Sequence, residues 1–501
     1  MKDNIAAPSS EDCKPPDMDR SLVHGIAWTG AVKWGTQLLA WCSSIIVARL
    51  LTPDDFGIVG MATVYLGLVT LLTEFGVGTA VVTLRDLSRE QIAQLNGLSV
   101  LLGLSGFVLS CLASVPLGHF FRSARLPWVV AAMSTNFLIS SFQSVPAALL
   151  QRQLRFKLIS LIDGTRALTL SFVTVLLAWM GLRYWTLVLG SILGTLIGTV
   201  LTLVRLRGGF AWPRSSSLHQ VIRFTRHILV SRLAWYSYSN ADFVISGRFL
   251  GQTALGAYTI AWNLANIPVE KITGVLNGVT PAIFSAAQNQ QALLRRYLLT
   301  LTEGVALITL PSSIGLGLVA PEFVLLALGA KWQPAVAPLR FLAFYVTIRS
   351  IAPMIPVVLN VVGESRFAMW NSIMAVVIMP TSFYLGSHWG NAGIGAAWIL
   401  AYPVVAIPLF HRAFQKIGLS WLDYATMLRA PVAGSLVMVA VVLLAKSMLP
   451  PSFALAARLA VEVFSGAASY VLVTGGLNFK RRHTLWKVFG MLRSPAPRPS
   501  P

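Results

Sequence analysis

The chain has 501 residues, 55% of them hydrophobic and only 11% charged, with a mean hydropathy of +0.69. Soluble domains carry about 25% charged residues, so a soluble globular fold is excluded and a polytopic membrane protein is expected. The net charge of +21 would point to nucleic acid in a soluble chain, but here the basic residues follow a membrane topology and no nucleic-acid partner is expected.

Residues 1–21 are polar, proline-containing and partly acidic, which predicts a disordered cytoplasmic tail rather than a signal peptide. Apolar runs follow, each long enough for the roughly 20 residues that cross a hydrocarbon core about 30 Å thick. They predict spans near 22–48, 56–82, 91–117, 127–150, 158–180, 184–204, 227–247, 256–280, 297–320, 337–361, 367–386, 392–410, 430–449 and 453–476. Backbone groups in lipid must pair within their own segment, so these are read as helices. The short alternating segments of a membrane β-barrel are absent. With the N-terminus inside, 25 of the 39 lysines and arginines fall on the inner segments and few on the outer loops, as the positive-inside rule requires. Both termini are therefore expected in the cytoplasm, with the basic tail 478–501 on anionic headgroups. Cys13, Cys42 and Cys111 have no metal-binding spacing and are read as inert thiols, Cys42 and Cys111 buried in or near spans.

Shifting the chain by 199 residues places Lys33 on Arg232, Ser43 on Asp242, Arg49 on Arg248, Leu51 on Leu250 and Gly57 on Gly256. The same shift carries span 1 onto span 7 and span 2 onto span 8. Six spans per unit make the repeat parallel, with a substrate path between the halves. The expected organisation is a six-helix bundle over 22–204, a cytoplasmic linker over 205–226, a second bundle over 227–412, and two further helices over 413–477. Arg49, Asp54 and Asp55 in "ARLLTPDDFG" are placed in a short outer loop, with no need to be buried.

Three stretches carry a resemblance: "IIVARLLTPDDFGIVGMATVYLGLVTLLTEFGVGTAVV" at 45–82, "NADFVISGRFLGQTALGAYTIAWNLANIP" at 240–268, and "LALGAKWQPAVAPLRFLAF" at 326–344. They resemble the polysaccharide flippases of the multidrug/oligosaccharidyl-lipid/polysaccharide exporter superfamily. The resemblance implies an all-α protein of about fourteen transmembrane helices, with two six-helix bundles around a cavity that alternates its opening. It also implies an undecaprenyl-diphosphate-linked oligosaccharide as substrate in the bacterial inner membrane. A polymerase and a chain-length regulator are candidate partners, and no cofactor is expected.

An anionic headgroup crossing the bilayer needs a water-accessible, cationic cavity. The candidates for substrate contact are Arg349, Lys33, Arg232 and Arg166; those for ion coupling are Asp242, Glu74 and Glu270. Lys33 and Glu74 lie roughly 13–16 Å from the inner ends of spans 1 and 2, and Arg232 with Glu270 occupies comparable places in spans 7 and 8. Structural pairing of neighbouring helices is the competing reading for all four. Asp242 lies near Tyr236, Tyr238 and Asn240, and either relays an ion or orders that cluster. Arg349 falls near the middle of span 10, too deep to snorkel, and Pro353 and Pro356 predict a break in that helix. Asp163 with Arg166, and Arg458 with Glu462, have the spacing of internal ion pairs.

No catalytic motif is present: the seven histidines are scattered, and there is neither HExxH nor a phosphate-binding glycine loop. The chain is therefore not expected to be an enzyme. Two alternatives stand beside the flippase: a cation-coupled drug exporter of the same superfamily, and an O-antigen polymerase or ligase.

Overall fold

The computed structural model describes residues 35, 37, 39–74, 76–84, 87–206, 208–214, 232–288, 290–450 and 452–477, and within α10 it describes the backbone alone at 271–279, 281 and 282. Lys33, both tails and most of the expected linker lie outside them. The described residues are helical throughout, with no strand. The first half comprises α1 (Leu39–Leu50), α2 (Pro53–Glu74), α3 (Val77–Thr83), α4 (Arg89–Phe121), α5 (Leu126–Arg152), α6 (Phe156–Trp179) and α7 (Trp185–Arg205). The second comprises α8 (232–239), α9 (Ala241–Ile245), a π turn (Ser246–Leu250), α10 (Gln252–Ala286), α11 (Gln291–Leu318), α12 (Ala320–Ala327), a 3₁₀ turn (Ala330–Ala335), α13 (Val336–Ser350), α14 (Met354–Val361), α15 (Ser365–Ser387) and α16 (Gly390–Ile417). Two further helices follow, α17 (Trp421–Met448) and α18 (Leu455–Leu477).

Ten described helical segments are long and apolar enough to cross a membrane. Of the four other expected spans, the first and seventh are only partly described. The fourth and eighth form α5 and α10, of 27 and 35 residues, and both are more polar. Side chains such as Leu112, Phe172, Leu400 and Leu472 stand exposed, which only a lipid environment accommodates over so large an area. Exposed tryptophans form belts at both ends of the helices: Trp128, Trp179 and Trp389 at one end, Trp212, Trp370 and Trp421 at the other. This is a multi-pass membrane protein.

Helices α2 to α7 pack among themselves as one bundle and α10 to α16 as another, while α17 and α18 pair and lie against α11. The bundles meet along α2 and α10. That seam is built from the repeated motif. Gly57 of α2 lies on the Gln252 backbone and Gly256 of α10 lies on the Pro53 backbone, so close that a Cβ at 256 would stand 2.6 Å from the Pro53 carbonyl carbon. Only glycine permits that approach. Around the crossing, Arg49 Nε donates to the Ala327 carbonyl at 2.6 Å and its other arm to Leu326, occupying the open carbonyls at the end of α12. In return Lys331 donates to the Arg49 carbonyl (2.6 Å) and Trp332 Nε1 to the Ala48 carbonyl (2.8 Å). Gln252 donates to the Asp54 carbonyl and accepts from Ser123, and Arg248 stands over the Phe120 ring. All these contacts lie at the α1–α2 end, which is sealed.

Three expectations change. Asp55 is buried, 2% exposed, because Thr52 and Asp55 close a reciprocal cap on α2: the Thr52 N–H and hydroxyl donate to Asp55 Oδ2, the Asp55 N–H reaches back to Thr52 Oγ1, and Arg183 pairs with the carboxylate at 3.4 Å. Glu462 is fully buried and makes its salt bridge not with Arg458, four residues before it, but with Lys446 of α17 (3.4 Å), which also binds Glu322 of α12 at 2.8 Å. Cys42 is exposed and Cys111 half-buried; neither is a fully buried thiol. The expected break in span 10 is present, α13 ending at Ser350 and α14 starting after Pro353. Between the spans expected at 297–320 and 337–361 stand the short helix α12 and the 3₁₀ turn.

Opposite the sealed end, Glu364 precedes α15 and receives Lys416 at 2.6 Å and Arg412 at 2.9 Å from the end of α16. The Lys416 hydrogen bond first, and the Arg412 bond second, hold its carboxyl below the usual carboxylate range.

Candidate functional site

A cavity of about 540 Å³ opens in the first bundle, towards the end opposite the seal. Its widest wall is α5. The sequence of that helix, "STNFLISSFQS" at 134–144, alternates apolar contacts with hydroxyls and amides, and the structure turns Ser140, Gln143, Ser144 and Gln151 to the cavity. The polarity that leaves α5 short of a free-standing span is the polarity that lines this space. Helix α6 adds Asp163 and Arg166, which share one face at three-residue spacing. Helix α2 contributes Glu74 at its last residue, just before the chain turns at Gly76 (φ 62°) into α3. Helix α8 contributes Arg232 from the second half of the chain.

Three sequence candidates, Glu74, Arg166 and Arg232, therefore share one cavity. Arg232 is the charged group acting on Glu74, so the attraction runs between the two halves of the chain. The expected Lys33–Glu74 relation lies outside the described residues. Glu270 lies within electrostatic reach of Arg349.

Arg349 lies in the second bundle, in the last turn of α13, where unpaired helix carbonyls favour a cation. The break before Pro353 puts that helix end at mid-span. The half-buried guanidinium donates to Asn266 Oδ1 at 3.3 Å and stands 5.8 Å over the Trp262 ring. Tyr238, Tyr345 and Tyr402 lie within electrostatic reach of it. Asp242 is separate again. It is fully buried, and its Oδ2 accepts from Tyr258 at 2.6 Å and from Trp398 Nε1 at 2.9 Å. Its Oδ1 is buried with no partner. Asp242 thus orders Tyr258 and Trp398, on α10 and α16, rather than the expected Tyr236, Tyr238 and Asn240. Tyr236 instead crosses the seam and donates to the Val64 carbonyl of α2.

The polar wall of α5 and Asn266 were not among the sequence candidates. The first was signalled by the serine and glutamine run inside an expected span. Asn266 had no such signal, because its role depends on contact with a residue 83 positions away.

Residues 46–337 match the family described as polysaccharide biosynthesis protein, more than half of the chain. The chain belongs to this family. Among curated relatives, the family member is 25% identical over 475 residues to the teichuronic acid biosynthesis protein TuaB of Bacillus subtilis, covering 91% of this chain and 96% of that protein. It is 24% identical over 420 residues to the lipopolysaccharide biosynthesis protein WzxC of Escherichia coli (80% and 84% covered). It is 22% identical over 498 residues to the succinoglycan biosynthesis transport protein ExoT of Rhizobium meliloti (96% and 98% covered). Among solved structures, the lipid II flippase MurJ in an inward closed conformation superposes with a TM-score of 0.71 at 11% identity, covering 91% of this chain and 99% of that one. An inward-facing multidrug resistance MATE transporter gives 0.63 at 18% identity, covering 76% and 94%. The fold is theirs.

Proposed function

We propose that this protein is a flippase: it carries an undecaprenyl-diphosphate-linked oligosaccharide across the bacterial inner membrane by alternating access, for the assembly of a surface polysaccharide. It acts as a transporter and not as an enzyme. Its termini and the open end of the cavity face the cytoplasm, and the seam of the repeated motif faces outward. One observation carries the reading: a polar, charge-bearing cavity opens at one end of a bundle pair whose other end is closed by contacts between its halves. A carrier resting between deliveries has that form. The names of TuaB, WzxC and ExoT support surface polysaccharide as the pathway, and the MurJ fold supports a lipid-linked cargo.

The test is a deletion strain. Lipid-linked repeat units are expected to accumulate on the cytoplasmic face, and the wild-type gene should restore export. Accumulation of single repeat units on the outer face would overturn the reading in favour of a polymerase or ligase.

A further inference from the structure

The two charged regions of the interior differ in chemistry. In the first-bundle cavity the formal charges cancel, Glu74 and Asp163 against Arg166 and Arg232. Between them, α5 supplies uncharged hydroxyls and amides. A diphosphate placed there meets two carboxylates, and like charges in such proximity cost affinity and specificity. Sugar hydroxyls fit the same set, since each can donate to a carboxylate and accept from an amide or guanidinium.

The Arg349 region holds one carboxylate instead of two, and its polar neighbours are phenols. Its guanidinium lies at a helix end beside an aromatic face, and the groups within its electrostatic reach are three tyrosines and Glu270, which is exposed one turn beyond Asn266. Tyrosine hydroxyls and a guanidinium are donors to an oxyanion, and phosphate oxygens are acceptors only. Helix α8 joins the two regions. Arg232 lines the cavity and Tyr238 stands by Arg349, six residues or about 9 Å apart along the axis. A diphosphate and the sugar bonded to it can bridge that distance in one molecule.

Resting on the flippase reading, we infer that the substrate is held in two parts: the first-bundle cavity takes the sugars, and the Arg349 cluster takes the diphosphate. Selection among sugars then lies with α5 and α6, whereas affinity for the lipid carrier lies with α13 and α10.

The test is binding to the full-length protein in nanodiscs. The two probes are undecaprenyl diphosphate and the native repeat oligosaccharide released from its lipid by mild acid. Gln143→Leu and Asp163→Asn are expected to weaken oligosaccharide binding by about tenfold, one lost hydrogen bond to a polar or charged group, and to leave undecaprenyl diphosphate within about twofold. Arg349→Gln is expected to do the reverse, and Gln143→Asn to recover part of the oligosaccharide affinity. A variant that weakens both probes equally, or the reverse pairing of variant and probe, overturns the division. Wild-type protein that binds neither probe overturns the flippase reading itself, and the division with it.

Discussion

Alanine at position 256 offers the sharpest test of the seam. Its Cβ would stand 2.6 Å from the Pro53 carbonyl carbon and 2.9 Å from the Gly57 nitrogen, with the Pro53 carbonyl oxygen nearer still, whereas carbon contacts are comfortable at about 3.5–4.0 Å, so α2 and α10 must part by more than about 1 Å. Overpacking of this kind costs about 1–3 kcal/mol, equivalent to roughly 5- to 150-fold in the ratio of sealed to open protein. The cost is expected to fall on the sealed arrangement, in which the two glycines meet a backbone. The assay is modification of Ala48→Cys by a membrane-impermeant thiol reagent added outside, in a background with the three native cysteines replaced. Ala48 is buried beneath Trp332 in the seam, so slow labelling is expected with Gly256 and faster labelling, within the stated range, with Gly256→Ala. Size-exclusion chromatography shows whether the variant is folded. A monodisperse Gly256→Ala protein that labels no faster would refute the assignment of this crossing as the seal.

Arg49→Ala should act in the same direction but more weakly, because its side chain is exposed where it holds the end of α12; the same labelling experiment reads it. Asp55→Ala removes the cap on α2 and should cost about 0.5–2 kcal/mol, measured as a lower midpoint of thermal unfolding in detergent. For Glu364, the folded carboxyl is held below its ordinary value near 4.5. Its stabilising contribution is therefore complete above that pH and is lost as pH falls through the folded value. Glu364→Gln should flatten this part of an acid-unfolding curve while leaving a difference from wild type at pH 7. Lys446→Met strands Glu322 and Glu462 without their shared cation, a loss of about 3–5 kcal/mol for a buried pair. Lowered expression should result, with recovery when Glu322→Gln and Glu462→Gln are added.

Ten of the expected spans were legible because lipid imposes a length and a polarity on each helix in isolation. Local chemistry was equally open to reading: Pro53 and the aspartates mark the start of a helix, whereas the burial of Asp55 depends on its pairing with Thr52 and with the distant Arg183. Pro353 and Pro356 announced the break that gives Arg349 its helix end. What could not be read was partnership across the chain. Glu462 has Arg458 one turn away yet pairs with Lys446, since the packing of α17 against α18 brings that ammonium closer. Arg49 likewise finds its carbonyls some 278 residues on, a relation that exists only once both bundles have folded.

Helix α5 has a consequence for biogenesis. A segment bearing Ser134, Thr135, Asn136, Ser140, Ser141, Gln143 and Ser144 is a poor candidate for lateral release from a translocation channel by itself. Its most extensive packing is with α4, which is markedly apolar and immediately precedes it in synthesis. The two are suited to leave the channel as a hairpin, with Ser134 and Ser141 of α5 already against Cys111 and Gly103 of α4. Part of the hydrophilicity of α5 is thereby sheltered by a neighbour from the moment the chain enters the bilayer.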